Sequence, residues 1–121
     1  MSKLHSTQRS FIFAFNGIKE TIKSEPNFRI QLVIGLLAIV MGIVLRLSTI
    51  EWAILSITIF FVLLLELLNT VIEVLVDIVS PQIQEKAKMA KDISAAMVLS
   101  SAILSLIIGS ILFIPKILKL L

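Results

Sequence analysis

The sequence predicts an all-α membrane protein, with an N-terminal amphipathic surface helix followed by three transmembrane helices in one domain over residues 1–121. Three observations lead there. Of the 121 residues, 58% are apolar and 16% charged, against roughly 45–50% and about 25% in soluble domains. A mean hydropathy of +1.07 in a 13.4 kDa chain exceeds what a small soluble fold can bury, because small domains leave much of their surface in water. Finally, the charges lie in short clusters separated by long uncharged stretches. The absence of cysteine excludes disulfide frameworks, thiolate zinc sites and cysteine nucleophiles.

The first element is a helix over about residues 6–24. On a wheel of about 100° per residue, Phe11, Phe15, Ile18 and Ile22 share one face, with Arg9, Asn16, Lys19, Glu20 and Lys23 on the other side. That pattern suits a helix lying in the membrane interface. No secretory signal layout is present, since the basic residues here are not followed by an apolar core and a small-residue cleavage site. Pro26 ends or bends the helix, because the residue before proline is pushed out of the α region.

The first span covers about residues 28–47, with no charge between Ile30 and Leu45. The second covers about 52–79 and is apolar up to Leu65 before Glu66, Glu73 and Asp77 interrupt it. The third covers about 92–114 and is uncharged from Ile93 to Ile114, the 22 residues of a full crossing. A cytoplasmic loop is expected from Pro81 to Lys91. Lys3, Arg9, Lys19, Lys23 and Arg29 at the N-terminus and Lys86, Lys88 and Lys91 in that loop make eight basic residues, against three (Arg46, Lys116, Lys119) on the other side. The positive-inside rule therefore puts the N-terminus in the cytoplasm. Gly35, Ala38 and Gly42 on the first span, Ser94, Ser101 and Ser105 on the third, and Ser10, Ala14, Gly17 and Thr21 on the surface helix form small-residue faces suited to close packing. Trp52 reads as an interface anchor, and His5 as a solvent-exposed residue near the terminus.

The second span carries the chemistry. Glu66, Asn69, Thr70, Glu73 and Asp77 all point the same way on the helical wheel, each within about 60° of Glu66. Carboxylates in hydrocarbon are costly, so such a row needs a cavity, a cation or a partner. Hydrogen-bonded helix packing is the bland alternative, but that role usually falls to uncharged polar side chains. Glu66 lies about 10 Å deeper than Glu73, within reach of a group presented by a lipid. The shallower acids can meet a water-soluble metal complex. With Lys88, Lys91 and Asp92 following on the cytoplasmic side, acids for a hard metal and lysines for phosphate point to phosphoryl transfer at the membrane surface. Neither a GxxxxGK[ST] loop nor a GxGxxG turn exists, since the four glycines are isolated. Three spans cannot surround a row of acids on every side, so association of protomers is expected to cover it.

The run Glu66-Leu-Leu-Asn-Thr-Val-Ile-Glu-Val-Leu-Val-Asp77, followed by Ala87-Lys-Met-Ala-Lys-Asp-Ile-Ser-Ala-Ala96, closely resembles the bacterial integral-membrane diacylglycerol kinase and undecaprenol kinase family. Its pattern E-x-x-N-[ST]-x-x-E-x-x-x-D, a short loop, and A-K-D is met at every position. The likeness extends to Glu25-Pro-Asn-Phe-Arg29 and Arg9-Ser-Phe11, and Ser80-Pro81, Glu25-Pro26 and Leu47-Ser-Thr-Ile-Glu-Trp52 look more like the undecaprenol-kinase branch.

The resemblance implies a homotrimer in the bacterial cytoplasmic (inner) membrane, with active sites between protomers and no nucleic-acid partner. It implies Mg2+-dependent transfer of phosphate from ATP to a lipid alcohol, undecaprenol before diacylglycerol. By position, Glu66 would be the general base beside the lipid substrate and Glu25 and Glu73 the metal ligands. Asn69, Glu73, Asp77, Lys91 and Asp92 would form the ATP site. Arg9 is a candidate contact to lipid headgroup or nucleotide. Where relatives often have Tyr-His in the cytoplasmic loop this chain has Ile83-Gln84, and Phe13 stands where some have tyrosine. A different class, an ion- or proton-conducting oligomer that uses the Glu66 to Asp77 row as its path, is the alternative.

Overall fold

The computed structural model describes residues 3–82 and 84–121, with side chains from residue 6 onward. The side chain of His5 and all of Ile83 therefore lie outside the described residues. Four helices account for nearly all of the rest: α1 (Lys3–Ser24), α2 (Pro26–Val44), α3 (Thr49–Val79) and α4 (Glu85–Leu120). Three of them, α2, α3 and α4, are long and apolar enough to cross a membrane.

The break between α1 and α2 falls where Pro26 demands it. Glu25 is extended (φ −114°, ψ 101°) and Pro26 opens α2, where its fixed φ suits a first turn and its missing N–H costs nothing. Arg29 then secures the junction. Its guanidinium donates to the carbonyls of Ile22 and Lys23 at 2.7 and 3.0 Å, filling acceptors that the last turn of α1 leaves without an intrahelical donor.

Between α2 and α3 the chain reverses in four residues. The Leu47 N–H donates to the Gly42 carbonyl at 3.1 Å and the Arg46 N–H to that of Ile43 at 3.3 Å, the paired closure of a Schellman motif. Arg46 takes the left-handed position, with φ 58°, where glycine is the usual occupant. Ser48 and Glu51 then form a reciprocal capping box. The Ser48 hydroxyl accepts from the Glu51 N–H at 3.2 Å and the Glu51 carboxylate accepts from the Ser48 N–H at 3.0 Å.

Helices α3 and α4 make the most extensive contact. They are antiparallel, since Glu51 pairs with Lys116 (3.2 Å) at one end and Asp77 with Lys91 (2.5 Å) at the other. Leu47, Leu55, Leu112 and Phe113 form the apolar core at the Glu51 end. Trp52 belongs to this packing rather than standing as a simple interface anchor: a Cβ on Gly42 would lie 2.8 Å from its ring. Gly35 is similarly close to Ile59, at 3.2 Å from such a Cβ. The expected close-packing faces are thus present on α2 and, through buried Ser94 and Ser101, on α4. On α1 they are not: Thr21 is buried, whereas Ser10, Ala14 and Gly17 are exposed and nothing lies within 4 Å of a Cβ built on Gly17.

The expected loop from Pro81 to Lys91 is shorter than the sequence suggested. Helix α4 starts at Glu85 and continues through Pro115 to Leu120, so Lys86, Lys88 and Lys91 stand on its first two turns. Charge alone does not end a helix, and Ala87 and Ala90 favour it.

Candidate functional site

The burial pattern is inverted relative to a water-soluble bundle. The most buried side chains are Glu66, Ser94 and Ser101, each 1% exposed, while large apolar residues such as Ile57, Leu106 and Val79 face outward. Outward-facing apolar groups are at home in lipid, and buried polar ones require partners. A polar seam running along α3 supplies those partners.

Glu66 is its deepest member. Gln31 of α2 donates its amide Nε2–H to Glu66 Oε2 at 3.2 Å, and Thr70 donates its hydroxyl to the Glu66 backbone carbonyl at 3.0 Å. One turn on, Asn69 is buried between two helices. Its Oδ1 accepts from the Ser94 hydroxyl of α4 at 2.5 Å, and its Nδ2 donates to Glu73 Oε1 at 3.3 Å. The amide thereby fixes Glu73, a half-buried carboxylate, by its donor side and α4 by its acceptor side. Asp77, exposed at the end of the row, pairs with Lys91, and Asp92 pairs with Lys88 at 2.7 Å. All four of these last side chains are substantially exposed, the least being Lys91 at 41%, so both pairs are water-screened and easily exchanged.

Glu25 stands at the α1–α2 junction, as the N-cap residue of α2. The charges of Glu25 and Glu73 both bear on Glu66, and the Glu25 side chain makes no capping bond to α2, which leaves its carboxylate available. Among the described residues, no group of three or more His, Asp or Glu forms a preassembled metal cluster. That is compatible with Mg2+, which takes one or two protein carboxylates and completes its shell with phosphate oxygens and water. Glu25 and Glu73 fit such a donor set.

The fold thus sets two hydrogen-bonded groups in a row along α3, Gln31–Glu66 and Ser94–Asn69–Glu73, with the Asp77–Lys91 and Lys88–Asp92 pairs at the exposed end. Arg9 sits on α1 with its side chain exposed. Sequence reasoning expected neighbouring protomers to cover the acids, yet Glu66 is already enclosed within one chain. The intervening α2 and α4 are small enough at their facing positions to close over it. Two residues were missed. Ser94 looked like a packing residue, although a hydroxyl opposite a buried Asn had donor capacity to offer. Gln31 is a polar residue in the first turns of an otherwise apolar span, which was the available signal.

An all-helical, membrane-type fold built around a buried carboxylate with an acidic and basic exposed end defines a class of intramembrane polar-site proteins. The chain belongs to the prokaryotic diacylglycerol kinase family, whose description matches residues 12–113. It is 38% identical over 115 residues to the undecaprenol kinase of Bacillus subtilis (strain 168), covering 95% of this chain and 94% of that one. It is 39% identical to a diacylglycerol kinase of Synechocystis sp., covering 92% of this chain but 64% of that longer protein. With the diacylglycerol kinase of Escherichia coli (strain K12) it shares 31% identity over 83% of its own length and 82% of the relative's.

Proposed function

We propose that the chain is an integral-membrane lipid kinase that transfers the γ-phosphoryl group of ATP to a lipid hydroxyl, with undecaprenol as acceptor. Family membership supports the kinase chemistry, and similarity over nearly the full length of an undecaprenol kinase favours that acceptor over diacylglycerol. The observation that carries the reading is Glu66. A carboxylate 1% exposed and held by one neutral amide shares a helix face with Asn69, Glu73 and the exposed Asp77, a row of polar groups that runs from membrane depth to the water-accessible end of α3.

Glu66 is the general base in this reading. It takes the proton of the lipid O–H, the alcohol oxygen bonds to the γ-phosphorus, and the bond from that phosphorus to the β,γ-bridging oxygen breaks, releasing ADP. Glu25 and Glu73 would hold Mg2+, which would supply neutralisation of the charge on the phosphates. Lys91, freed from its screened pairing with Asp77, turns to the triphosphate, and Asn69 keeps Glu73 in position. Asp77 and Asp92 complete the nucleotide end, while Arg9 on α1 contacts headgroups. We further propose a homotrimer in the bacterial inner membrane with a cytoplasmic N-terminus, α1 lying in the interface on its Phe11, Phe15 and Ile18 face.

The test is transfer of radiolabelled γ-phosphate from ATP to undecaprenol and to diacylglycerol, side by side in detergent. Label entering undecaprenol at the higher kcat/KM is expected. A higher kcat/KM for diacylglycerol overturns the acceptor assignment, and label in neither lipid overturns the kinase reading. Lys91→Ala and Asp92→Asn, both at the exposed end, are expected to impair transfer, whereas an ion or proton relay along α3 would tolerate them.

A further inference from the structure

Gln31 has a hydrogen-bonding capacity that the folded chain leaves half used. Its Nε2 donates to Glu66 at 3.2 Å, while its Oε1 is a buried atom with no partner. The amide orientation follows from chemistry, since turning it over would set a carbonyl oxygen against a carboxylate oxygen. Buried acceptors without donors are rare and costly, so one at this place calls for an incoming donor.

The surroundings define that donor. Gln31 stands where an apolar groove of about 640 Å³ between α2, α3 and α4 meets the polar seam, and it is the lining residue of α2 nearest to Glu66 in the chain of contacts. The hydroxyl-bearing residues of the groove have their protons engaged: Thr58, Ser105 and Ser110 each donate to a carbonyl of their own helix. Gln31 Oε1 is therefore the groove's unpartnered buried acceptor among the described residues. A ligand that is apolar along its length and carries a single O–H at its end matches this arrangement. A fully ionised phosphate or carboxylate does not, because it has no proton to offer a carbonyl oxygen and would set its charge beside Glu66.

We infer that Gln31 docks the acceptor alcohol: its Oε1 accepts the lipid O–H as the lipid enters while its Nε2 holds Glu66 Oε2. The hydroxyl then turns its one proton from Gln31 Oε1 to the free oxygen of Glu66, which removes it as the alcohol oxygen bonds to phosphorus. This rests on the kinase reading above and adds a residue that binds and aims the substrate. No bond is made or broken at Gln31. It sets the O–H beside the base, where small displacements of reacting groups have large effects on rate.

The test uses full-length protein in detergent with MgATP and undecaprenol. Gln31→Met keeps the side-chain length and removes both hydrogen bonds, and Gln31→Glu keeps an acceptor oxygen while deleting the amide donor. The expected result is a fall of about tenfold or more in kcat/KM for the lipid in both variants, with the KM for MgATP within error of the unaltered chain and a thermal midpoint lowered because buried Glu66 loses its amide donor. Lipid kcat/KM, measured below that midpoint, within twofold of normal overturns the inference. So does a loss that appears equally in the MgATP KM, which would mark a structural role. If Gln31→Met does not fold, Gln31→Glu decides by the same criteria. Absence of transfer by the unaltered chain to both undecaprenol and diacylglycerol overturns the kinase reading itself, and this inference with it.

Discussion

Each acid of the α3 row is distinguished by what it touches. Glu66 is enclosed and bonded to Gln31, Glu73 is half-buried and bonded to Asn69, and Asp77 is exposed and paired with Lys91. Substitution should separate them. Glu66→Gln preserves shape and deletes the base. It is expected to leave nucleotide binding intact and to lower kcat by roughly 10²–10⁴-fold, the usual scale of general base catalysis, and near-normal turnover would refute the role. Glu73→Gln should instead raise the magnesium concentration giving half-maximal rate about tenfold, which corresponds to roughly 1.4 kcal/mol of binding. An unchanged magnesium titration would count against a ligand there. Ser94→Ala leaves the buried Asn69 Oδ1 without its donor, a loss of about 1–3 kcal/mol. Chemical unfolding in detergent measures it, and isothermal calorimetry of magnesium binding would report any slackening of Glu73.

Among the elements, the α2–α3 turn and the α1–α2 junction set the geometry of the seam. Gly42 sits under Trp52 with no room for a Cβ, the nearest ring atom being 2.8 Å away. Gly42→Ala should therefore cost about 1–3 kcal/mol by overpacking, read as a lowered thermal midpoint. A midpoint equal to that of the unaltered chain would mean that Trp52 gives way freely. At the other end of α2, Arg29 spans from its own helix to the final carbonyls of α1. It was visible in the sequence only as one basic residue in a cytoplasmic cluster. The bonds it makes hold the turn that carries Glu25, so the angle of α1 and the position of the Glu25 backbone are coupled through one guanidinium. The loop before α4 shows the same effect: Lys86, Lys88 and Lys91 ride on helix, which carries Lys91 back to Asp77.

The whole molecule is an inside-out bundle. Its polar seam is internal and its apolar surface external, so the bilayer supplies the driving force for insertion and packing must supply the contacts among helices. Membrane orientation can be tested directly, because the chain contains no cysteine. Single cysteines at Arg46 and Lys119 are expected to react with a membrane-impermeant thiol reagent in intact cells, and one at Gln82 only after permeabilisation. The reverse pattern would invert the topology. Oligomerisation acquires a different rationale once Glu66 is seen to be covered within one chain. The exposed small-residue flank of α1 and the exposed end of the seam, rather than the deepest acid, are the surfaces that a neighbouring protomer would cover.

Much of this was legible in the residues alone. Three apolar stretches, a proline between two helical runs and a helical row of acids determine that the chain spans a membrane with carboxylates on one face of its third helix, because hydrophobicity and helical periodicity are local properties. The motif from Glu66 to Asp92 likewise marks the family without coordinates. Which carboxylate is buried, and by what, was decided only when α2 and α4 packed against α3. Gln31 lies 35 positions from Glu66, and Ser94 lies 25 from Asn69. Pairings at such separations arise from the close approach that Gly35, Gly42 and the serines of α4 permit, a property of surfaces brought together rather than of any one segment.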